Sequence, residues 1–482
     1  MRLLLTLCGW LAAVLALVFA SAAHAAPGLQ LGLNDDPSFA GPIFADDALN
    51  LARANDAGAT KIRFELNWRS VATAEPPDST AATDPAWVDY DFRKADQTVR
   101  QIVAAGMQPL PVVVGAPGWA EGPGRPAVGV KAPAGTWRPS AKAYGQFATA
   151  LARRYSGSFA DPLVPGANLP AIHTWQAWNE PNLSNDITPQ WRLRSHRYVA
   201  ASPGTYRALL NAFYKAVKAV NRSNFVVTAG TAPFGDLRPG DPRMPPARFW
   251  RELLCIKGRA RLTSTHCTTP VYFDAIAHHP YPIGPPRRHA RNVDDVVVAD
   301  LAKITRPLSV AIRAGTVRPA TSKPLWITEL SWDSTPDPDG LSEATQAQYL
   351  EASLYVLWTE GADVVMWWRM RDEAPIPSYA ATYQSGIFRR GATLAQDARK
   401  QSWTAFRFPF TAYRVNGVAR LWGIAPADGP IRIDVRKGDT WVPATTLTPG
   451  QNHLFTGRLR IGHGASLRAV STTLTSLTWS TF

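Results

Sequence analysis

The chain has 482 residues, of which 46% are hydrophobic and 18% charged, a composition typical of globular proteins and outside the disordered range. Its formal net charge is +14, but the basic residues are scattered, and only the stretch PPRRHAR at 285–291 is dense. No zinc-finger spacing or other nucleic-acid signature occurs, so we expect a solvated basic surface and no nucleic-acid partner, with weak attraction to anionic cell-wall polymers as the alternative.

Residues 1–25 have the pattern of a secretory signal peptide. Arg2 gives a positive start, LLLTLCGWLAAVLALVFA is apolar, and AHA at 23–25 fits a cleavage site. An uncleaved membrane anchor is the alternative, but no basic flank follows Ala26 and Pro27. We therefore expect a secreted, extracellular protein that has no membrane span after cleavage and acts as a monomer.

The number and spacing of the cysteines are consistent with an exported protein. Cys8 leaves with the signal peptide, so Cys255 and Cys267 remain, close enough in sequence to close one loop. Because disulfides form in exported proteins, these two cysteines predict one disulfide.

After the signal, apolar strand-like runs alternate with helix-like stretches. The runs lie at 29–35, 60–68, 107–115, 172–182, 225–233, 272–282, 323–332 and 363–372. Eight such alternations predict an α/β protein whose residues 26–405 form a (β/α)8 barrel, since strands buried on both faces are continuously apolar. A doubly wound open sheet is disfavoured because no glycine-rich phosphate turn follows an early strand.

The pattern changes from about Phe410. Residues 410–482 alternate apolar and polar side chains and contain turn signals such as ADG, KGD and PGQ. This pattern predicts a small, sandwich-like, all-β C-terminal domain.

Polar residues that end the predicted barrel strands are the candidates for chemistry, because active sites of such barrels lie at the C-terminal ends of the strands. The fourth strand ends in Asn179 and Glu180, the sixth in His278, His279 and Tyr281, the seventh in Glu329, and the eighth in Trp367 and Trp368; the second contains Arg63. Two carboxylates flanking one bond are what glycoside hydrolysis requires. A metal site at the histidine pair is disfavoured, since no further ligand lies at suitable spacing.

Two motifs carry a family resemblance. WNEP at 178–181 and WITELSW at 326–332 resemble the acid/base and nucleophile motifs of clan A glycoside hydrolases, in the style of families 5 and 39. The resemblance spans residues 28–400 and implies a retaining β-glycosidase that acts on a polysaccharide or oligosaccharide without cofactor or metal. It implies that Glu180 is the general acid/base and Glu329 the nucleophile. It also implies that Asn179 binds the sugar 2-hydroxyl and that Arg63 is the arginine beside the nucleophile. His279 and Tyr281 would be the sixth-strand pair, and Trp367 the platform under the sugar ring.

Two other functions remain open at this point. A catalytically silent carbohydrate-binding or cell-surface barrel is disfavoured because a binding protein needs no acid and nucleophile pair. A transglycosylase shares every candidate residue. The sugar, its linkage, endo or exo action and the role of the β domain are not indicated by the sequence.

Overall fold

The computed structural model describes residues 25–129 and 132–481. The predicted signal peptide, apart from Ala25, lies outside the described residues. Within the described part of the chain, no helix combines the length and apolar character that crossing a membrane requires.

Eight parallel strands form one sheet. They are β1 (Gln30–Asn34), β2 (Lys61–Asn67), β3 (Gln108–Val114), β4 (Thr174–Ala177), β5 (Phe225–Thr228), β6 (Ile276–His278), β7 (Leu325–Ile327) and β8 (Ala362–Trp368). They pair in the order β6-β7-β8-β1-β2-β3-β4-β5. Two isolated parallel bridges, Val227–Ala275 and Thr231–His278, join β5 to β6. The sheet is thereby nearly closed into a barrel.

One main helix follows each strand. The helices are α1 (Phe44–Asp56), α2 (Arg93–Ala104), α3 (Ala141–Arg154), α4 (Ser202–Val220), α5 (Pro246–Leu254), α6 (Ala302–Arg313), α7 (Glu343–Thr359) and α8 (Gln401–Arg407). Short helical turns lie at Asp36–Phe39, Trp68–Val71, Ser79–Thr83, Gly118–Ala120, Val298–Asp300, Tyr379–Ala381, Leu394–Gln396 and Gln451–His453. The predicted (β/α)8 barrel is confirmed.

Four short strand pairs lie in the loops, and the sequence pattern does not predict them. They join Trp191–Arg194 to Arg197–Ala200, Ile256–Lys257 to Thr263–Ser264, Val271–Tyr272 to Val317–Arg318, and Phe388–Arg389 to Ala398–Arg399. The fourth barrel strand is also shorter than predicted. It ends at Ala177 because Trp178 and Glu180 have φ angles of 74° and 29°, which no strand accommodates.

The barrel has two apolar layers, one inside the sheet and one between the sheet and the helices, and the odd or even position of a residue along its strand (its parity) decides which layer it joins. Successive strand residues point to opposite faces of the sheet. One set fills the barrel interior, where Trp326, Val364 and Met366 meet residues of β3, β5 and β6. The other set packs between the sheet and the helices, where Trp175 and Trp367 are buried. The parity of a residue near a strand end therefore decides whether it reaches the mouth of the barrel, meaning its C-terminal end.

The C-terminal part is an antiparallel β-sandwich. Its strands are β9 (Phe410–Val415), β10 (Val418–Ile424), β11 (Ile431–Lys437), β12 (Thr440–Leu447), β13 (Leu454–Arg460), β14 (Ser466–Val470) and β15 (Trp479–Ser480). They form one sheet ordered β9-β10-β13 and another ordered β12-β11-β14-β15. Apolar residues of both sheets share one core, including Phe410, Ile433 and Leu467. The predicted all-β region is confirmed.

The sandwich packs directly on the barrel. The indole of Trp422 in β10 is fully buried, and its ring centroid lies 6.0 Å from that of Trp358 in α7. Tyr355 of α7 also contacts Tyr413 of β9, with centroids 4.8 Å apart. This aromatic contact attaches the sandwich to the outer face of the helix layer.

The predicted disulfide joins Cys255, directly after α5, to Cys267, with the two Cα atoms 5.8 Å apart. Cys255 ends α5 in a left-handed conformation, with φ 57°. The closed loop contains the strand pair Ile256–Lys257 and Thr263–Ser264, and the Thr265 amide donates a 2.7 Å hydrogen bond to the Cys255 carbonyl. The covalent bond thus closes a loop that already has its own backbone pairing.

Replacing both cysteines by serine should lower the free energy of unfolding by about 3 kcal/mol, because the disulfide restricts the unfolded chain. Urea unfolding of the wild type and the double variant measures the difference. A reducing agent should lower the stability of the wild type by a similar amount and leave the variant unchanged. Equal stability of the oxidised wild type and the variant would contradict the prediction.

Candidate active site

The guanidinium of Arg63 connects three barrel strands, β2, β4 and β7, at the mouth of the barrel. Arg63 points inward from β2 and is 3% exposed. Its Nε donates to Gln176 Oε1 at 2.6 Å, and its terminal nitrogens donate to Glu329 Oε1 and Asn179 Oδ1, each at 2.8 Å. These bonds fix the ends of β4 and β7 relative to β2.

A second, fully buried set of polar groups supports this arrangement. Gln176 Nε2 donates to the Thr228 carbonyl at 3.0 Å and to Thr328 Oγ1 at 3.2 Å. The same hydroxyl lies 2.9 Å from His279 Nε2. Gln176 and Thr328 are polar residues at inward-facing positions of otherwise apolar runs, and this pattern is the signal in the sequence that points to them.

The two glutamates face each other across the mouth. The side chain of Glu180 is 18% exposed and that of Glu329 is 14% exposed. His279 lies between them, with Nδ1 2.9 Å from Glu180 Oε1 and 3.7 Å from Glu329 Oε2. One oxygen of each carboxylate and a nitrogen of His279 all lie within 4.8 Å of one another. The sequence-predicted pair is therefore brought together.

The surroundings of Glu329 favour its ionised form. Burial alone would raise the pKa of this carboxyl, but the charges of His279 and Arg63 and hydrogen bonds from Tyr281 and Arg63 lower it below its usual value. The Tyr281 hydroxyl donates to Glu329 Oε2 at 2.8 Å, and burial raises the pKa of Tyr281 well above its usual value. Tyr281 thus remains a hydrogen-bond donor to the carboxylate.

The backbone around Glu180 is strained. Glu180 has a φ of 29° and Trp178 one of 74°, both in the region that favours glycine. Such conformations cost on the order of 1–3 kcal/mol each and persist only where surrounding contacts enforce them. The Glu180 amide donates to the Gly230 carbonyl at 3.0 Å, and the Trp178 indole donates to the Asp186 carbonyl at 3.2 Å. These two bonds hold the turn that points Glu180 into the mouth.

The structure corrects the prediction for Trp367. This residue is 2% exposed, stacks on Trp332 in the layer between sheet and helices, and donates from its indole to the Ser385 carbonyl. Its neighbour Trp368 has the opposite parity and lies beside Tyr281, with ring centroids 5.9 Å apart. Trp368 is therefore the aromatic residue of β8 at the site, next to the Tyr281 that bonds Glu329.

Three further carboxylates near the mouth were not predicted. Glu65 lies two residues after Arg63, which gives it the same inward parity, and its backbone amide donates to Asp36 at 2.6 Å. Burial raises the pKa of Asp36 to about 6. Removal from water and the neighbouring charge of Glu180 raise the pKa of Asp186 well above its usual value, although the Asn179 amide opposes this.

Glu180, His279 and Glu329 together present an oxygen and nitrogen donor set that a metal ion could use. However, both oxygens of Glu329 already accept hydrogen bonds, one from the cationic Arg63 and one from Tyr281. A divalent cation would lie next to the Arg63 guanidinium. The arrangement therefore fits an ionised carboxylate held by a cation and a phenol better than a metal ligand.

His278 does not belong to this group of residues, since its ring contacts Thr231 and the Val296 carbonyl. Burial lowers the pKa of His278 to about 3.

Replacing Gly230 by alanine should displace His279, because a Cβ at this position would lie 2.1 Å from His279 Nε2. The ring is fully buried and its two nitrogens contact Glu180 and Thr328, so a displacement would break these contacts, and we expect the free energy of unfolding in urea to fall by about 1–3 kcal/mol. Gly204→Ala, in α4, is the matched control, since no atom lies within 4 Å of its added Cβ. Equal effects of the two substitutions would show that Gly230 does not position His279.

Comparisons with known proteins bear on the fold. No protein-family model matches the sequence, and the search of curated proteins finds no match. Among solved structures, a family 39 glycoside hydrolase from the gut symbiont Bacteroides cellulosilyticus WH2 matches with 17% identity and a TM-score of 0.53, over 92% of this chain and 81% of that chain. A glucosidase from Croceicoccus marinus matches with 16% identity and a TM-score of 0.50, over 88% of this chain and 82% of that chain. The protein therefore has the fold of these two structures along most of its length.

Proposed function

We propose that the protein is a retaining glycoside hydrolase that cleaves β-linked glycosidic bonds by double displacement. The observation that carries the proposal is the approach of Glu180 and Glu329, whose nearest oxygens lie within 4.8 Å. Retaining enzymes hold their two carboxyl groups about 5–5.5 Å apart, whereas inverting enzymes hold them about 6.5–9.5 Å apart to admit a water. The distance leaves room for attack by one carboxylate on the sugar but not for an intervening water.

Glu329 is the proposed nucleophile. Its lowered pKa keeps the carboxylate ionised, and Arg63 and Tyr281 fix both of its oxygens by one hydrogen bond each. Each oxygen retains a second lone pair with which to attack the anomeric carbon. The bond that forms is a glycosyl ester to Glu329, and the bond that breaks is the one to the leaving oxygen.

Glu180 is the proposed general acid and base. Its Oε1 lies against His279, which leaves Oε2 for the leaving oxygen of the substrate. Glu180 would give its proton to that oxygen in the first step and take a proton from water in the second. In this proposal Asn179, which accepts a hydrogen bond from Arg63, binds the neighbouring sugar hydroxyl, and Trp368, which lies beside Tyr281, supports the ring.

The proposal includes action outside the cell on a polysaccharide or oligosaccharide. The signal-like pattern of residues 1–25 supports export, and the disulfide between Cys255 and Cys267 fits an oxidising compartment. The two solved structures with this fold are named as a family 39 glycoside hydrolase and a glucosidase, which supports a sugar substrate.

The experiment that tests the function separates the two glutamates. Glu329→Ala should abolish turnover of aryl glycosides, whereas Glu180→Ala should retain turnover of substrates whose leaving group needs no protonation. Azide should partly restore the Glu180 variant and give a β-glycosyl azide, because it attacks the covalent intermediate on Glu329. Proton NMR of the wild-type reaction should show the β anomer as the first product.

Three outcomes would contradict the proposal. They are an α anomer formed first from a β-linked substrate, an α-glycosyl azide, or equal loss of activity by the Glu180 variant on activated and unactivated aryl glycosides.

Tyr281→Phe should move the acid limb of the kcat/KM profile to higher pH. The hydrogen bond from Tyr281 is one of the contacts that lower the pKa of Glu329, so its loss raises that pKa and the carboxylate becomes protonated at a higher pH. We expect a shift of about one pH unit. Tyr383→Phe is the matched control, since its ring contacts Trp368, with centroids 4.3 Å apart, rather than Glu329. An unchanged acid limb in Tyr281→Phe would contradict the assignment of Glu329 as the ionised nucleophile.

A further inference from the structure

The loop between β4 and α4 contains a two-stranded ribbon, residues 191–200, which we call the arginine ribbon. Its cross-strand partners are Arg192 with Val199, Leu193 with Tyr198, and Arg194 with Arg197. Partners in an antiparallel pair share a face, and successive residues alternate between faces. The three arginines therefore lie on one face of the ribbon, and Trp191, Leu193 and Tyr198 lie on the other.

The aromatic face is attached to the protein. Trp191 is 7% exposed, its indole donates to the Asp241 carbonyl at 2.9 Å, and the guanidinium of Arg248 lies 4.6 Å from its ring centre. The ring of Tyr198 lies against Gly240, where a Cβ would approach it to 2.8 Å. The ribbon is thus fixed by this face to the loop between β5 and α5.

The arginine face has no partner. Among the described residues, the side chains of Arg192, Arg194 and Arg197 make no hydrogen bond, ion pair or ring contact, and all three residues are exposed. The sequence contains no Asp or Glu from 187 to 235, so no acidic residue lies near them along the chain. Arg194 and Arg197 are moreover directly opposite each other, a pairing of like charges that destabilises a ribbon.

The arginine ribbon begins close to the proposed general acid. Gln190, which directly precedes it, donates from Nε2 to the Pro181 carbonyl at 3.0 Å and to the Ile187 carbonyl at 2.8 Å. Gln190 Oε1 in turn accepts a 2.8 Å hydrogen bond from Ser202 at the start of α4. Both ends of the ribbon are therefore tied to the segment that follows Glu180, on the rim of the barrel mouth.

We propose that the arginine ribbon binds the anionic groups of an acidic polysaccharide, and that the substrate of this enzyme is such a glycan. This inference rests on the proposed function, because it places the ribbon at a distal subsite of a glycosidase. Guanidinium groups form planar, bidentate pairs with carboxylates, sulfates and phosphates. A polysaccharide with repeated charges offers several such partners to three arginines on one face, and its binding removes the repulsion between Arg194 and Arg197.

An anionic membrane surface is the competing occupant. Membrane-binding elements present a large apolar face to the lipid beside their basic residues. Here Trp191 is buried, Val199 is the only apolar residue on the arginine face, and the other face exposes only Leu193 and part of Tyr198, at 62% and 49%, which is too little for a large apolar surface. The arrangement therefore favours a soluble polyanion.

The test compares the full-length wild type with the triple variant R192Q/R194Q/R197Q. Polygalacturonate, whose α-linkages the proposed enzyme would not cleave, is the probe for binding of repeated carboxylates, and its methyl-esterified, neutral form is the control polymer. We expect the triple variant to bind polygalacturonate about tenfold more weakly, with a smaller loss of affinity on raising the salt concentration. Binding of the neutral polymer and turnover of a small neutral aryl glycoside should remain unchanged, since the three arginines do not touch the catalytic residues.

A second triple variant controls for net charge. R420Q/R458Q/R460Q removes the same number of charges from exposed residues of the β-sandwich, and it should retain the affinity of the wild type for polygalacturonate. Equal affinity of the wild type and the ribbon variant, or equal losses in both triple variants, would overturn the inference. So would a ribbon variant that loses only its binding to vesicles of phosphatidylglycerol and phosphatidylcholine. A wild type that binds polygalacturonate through the ribbon but turns over no glycoside would instead refute the proposed function, and with it the claim of a substrate, and would leave polyanion binding by the ribbon intact.

Discussion

The buried guanidinium of Arg63 is the interaction on which the rest of the site depends. Removing a guanidinium from water is costly unless its donors are paired, and here Gln176, Asn179 and Glu329 accept its hydrogen bonds. These acceptors come from the ends of two strands that are not adjacent in the sheet. The same cation that stabilises the packed polar interior therefore sets the position of one glutamate and the charge of that glutamate.

The interior of the barrel accordingly changes from apolar to polar along its axis. Lower in the barrel, Trp326, Val364 and Met366 fill the space with apolar groups. Nearer the mouth, the inward positions carry Gln176 and Thr328, whose hydrogen bonds continue to His279 and Arg63. A polar network of this kind is stable only when each member finds a partner, and each of these side chains does.

The distribution of charge at the mouth follows the same logic. Several carboxylates lie in one small volume. Burial, together with neighbouring negative charges, raises the pKa of Asp36 and of Asp186, whereas His279, Arg63 and the hydrogen bond from Tyr281 lower the pKa of Glu329. The unpaired arginines lie outside this acidic centre, on the rim. A basic rim around this centre would hold a negatively charged chain at its edge, away from the carboxylates.

Much of the fold and of the site could be predicted because strand-terminating polar residues are visible in the sequence. Glu180 and Glu329 stand out after apolar runs, and the barrel topology brings the ends of all strands to one face. Trp367 was assigned wrongly because an error of one residue in the register reverses the face of a strand residue, and the sequence does not give the register. The contact between Gly230 and His279 and the left-handed turn at Glu180 depend on tertiary packing, which no local pattern indicates.

The closure of the barrel has a consequence for how the protein loses activity. β5 and β6 share no ladder; two isolated bridges join them, together with backbone hydrogen bonds from the Asp274 amide to the Val226 carbonyl and from the Thr228 amide to the Ala275 carbonyl. Gly230, which accepts the Glu180 amide, and His279, whose amide donates to the Thr231 carbonyl, both lie at this junction. Local opening of part of a fold costs less free energy than global unfolding. Opening at this junction would separate His279 from Glu180 while the remainder of the barrel is still folded, so that inactivation would precede global denaturation.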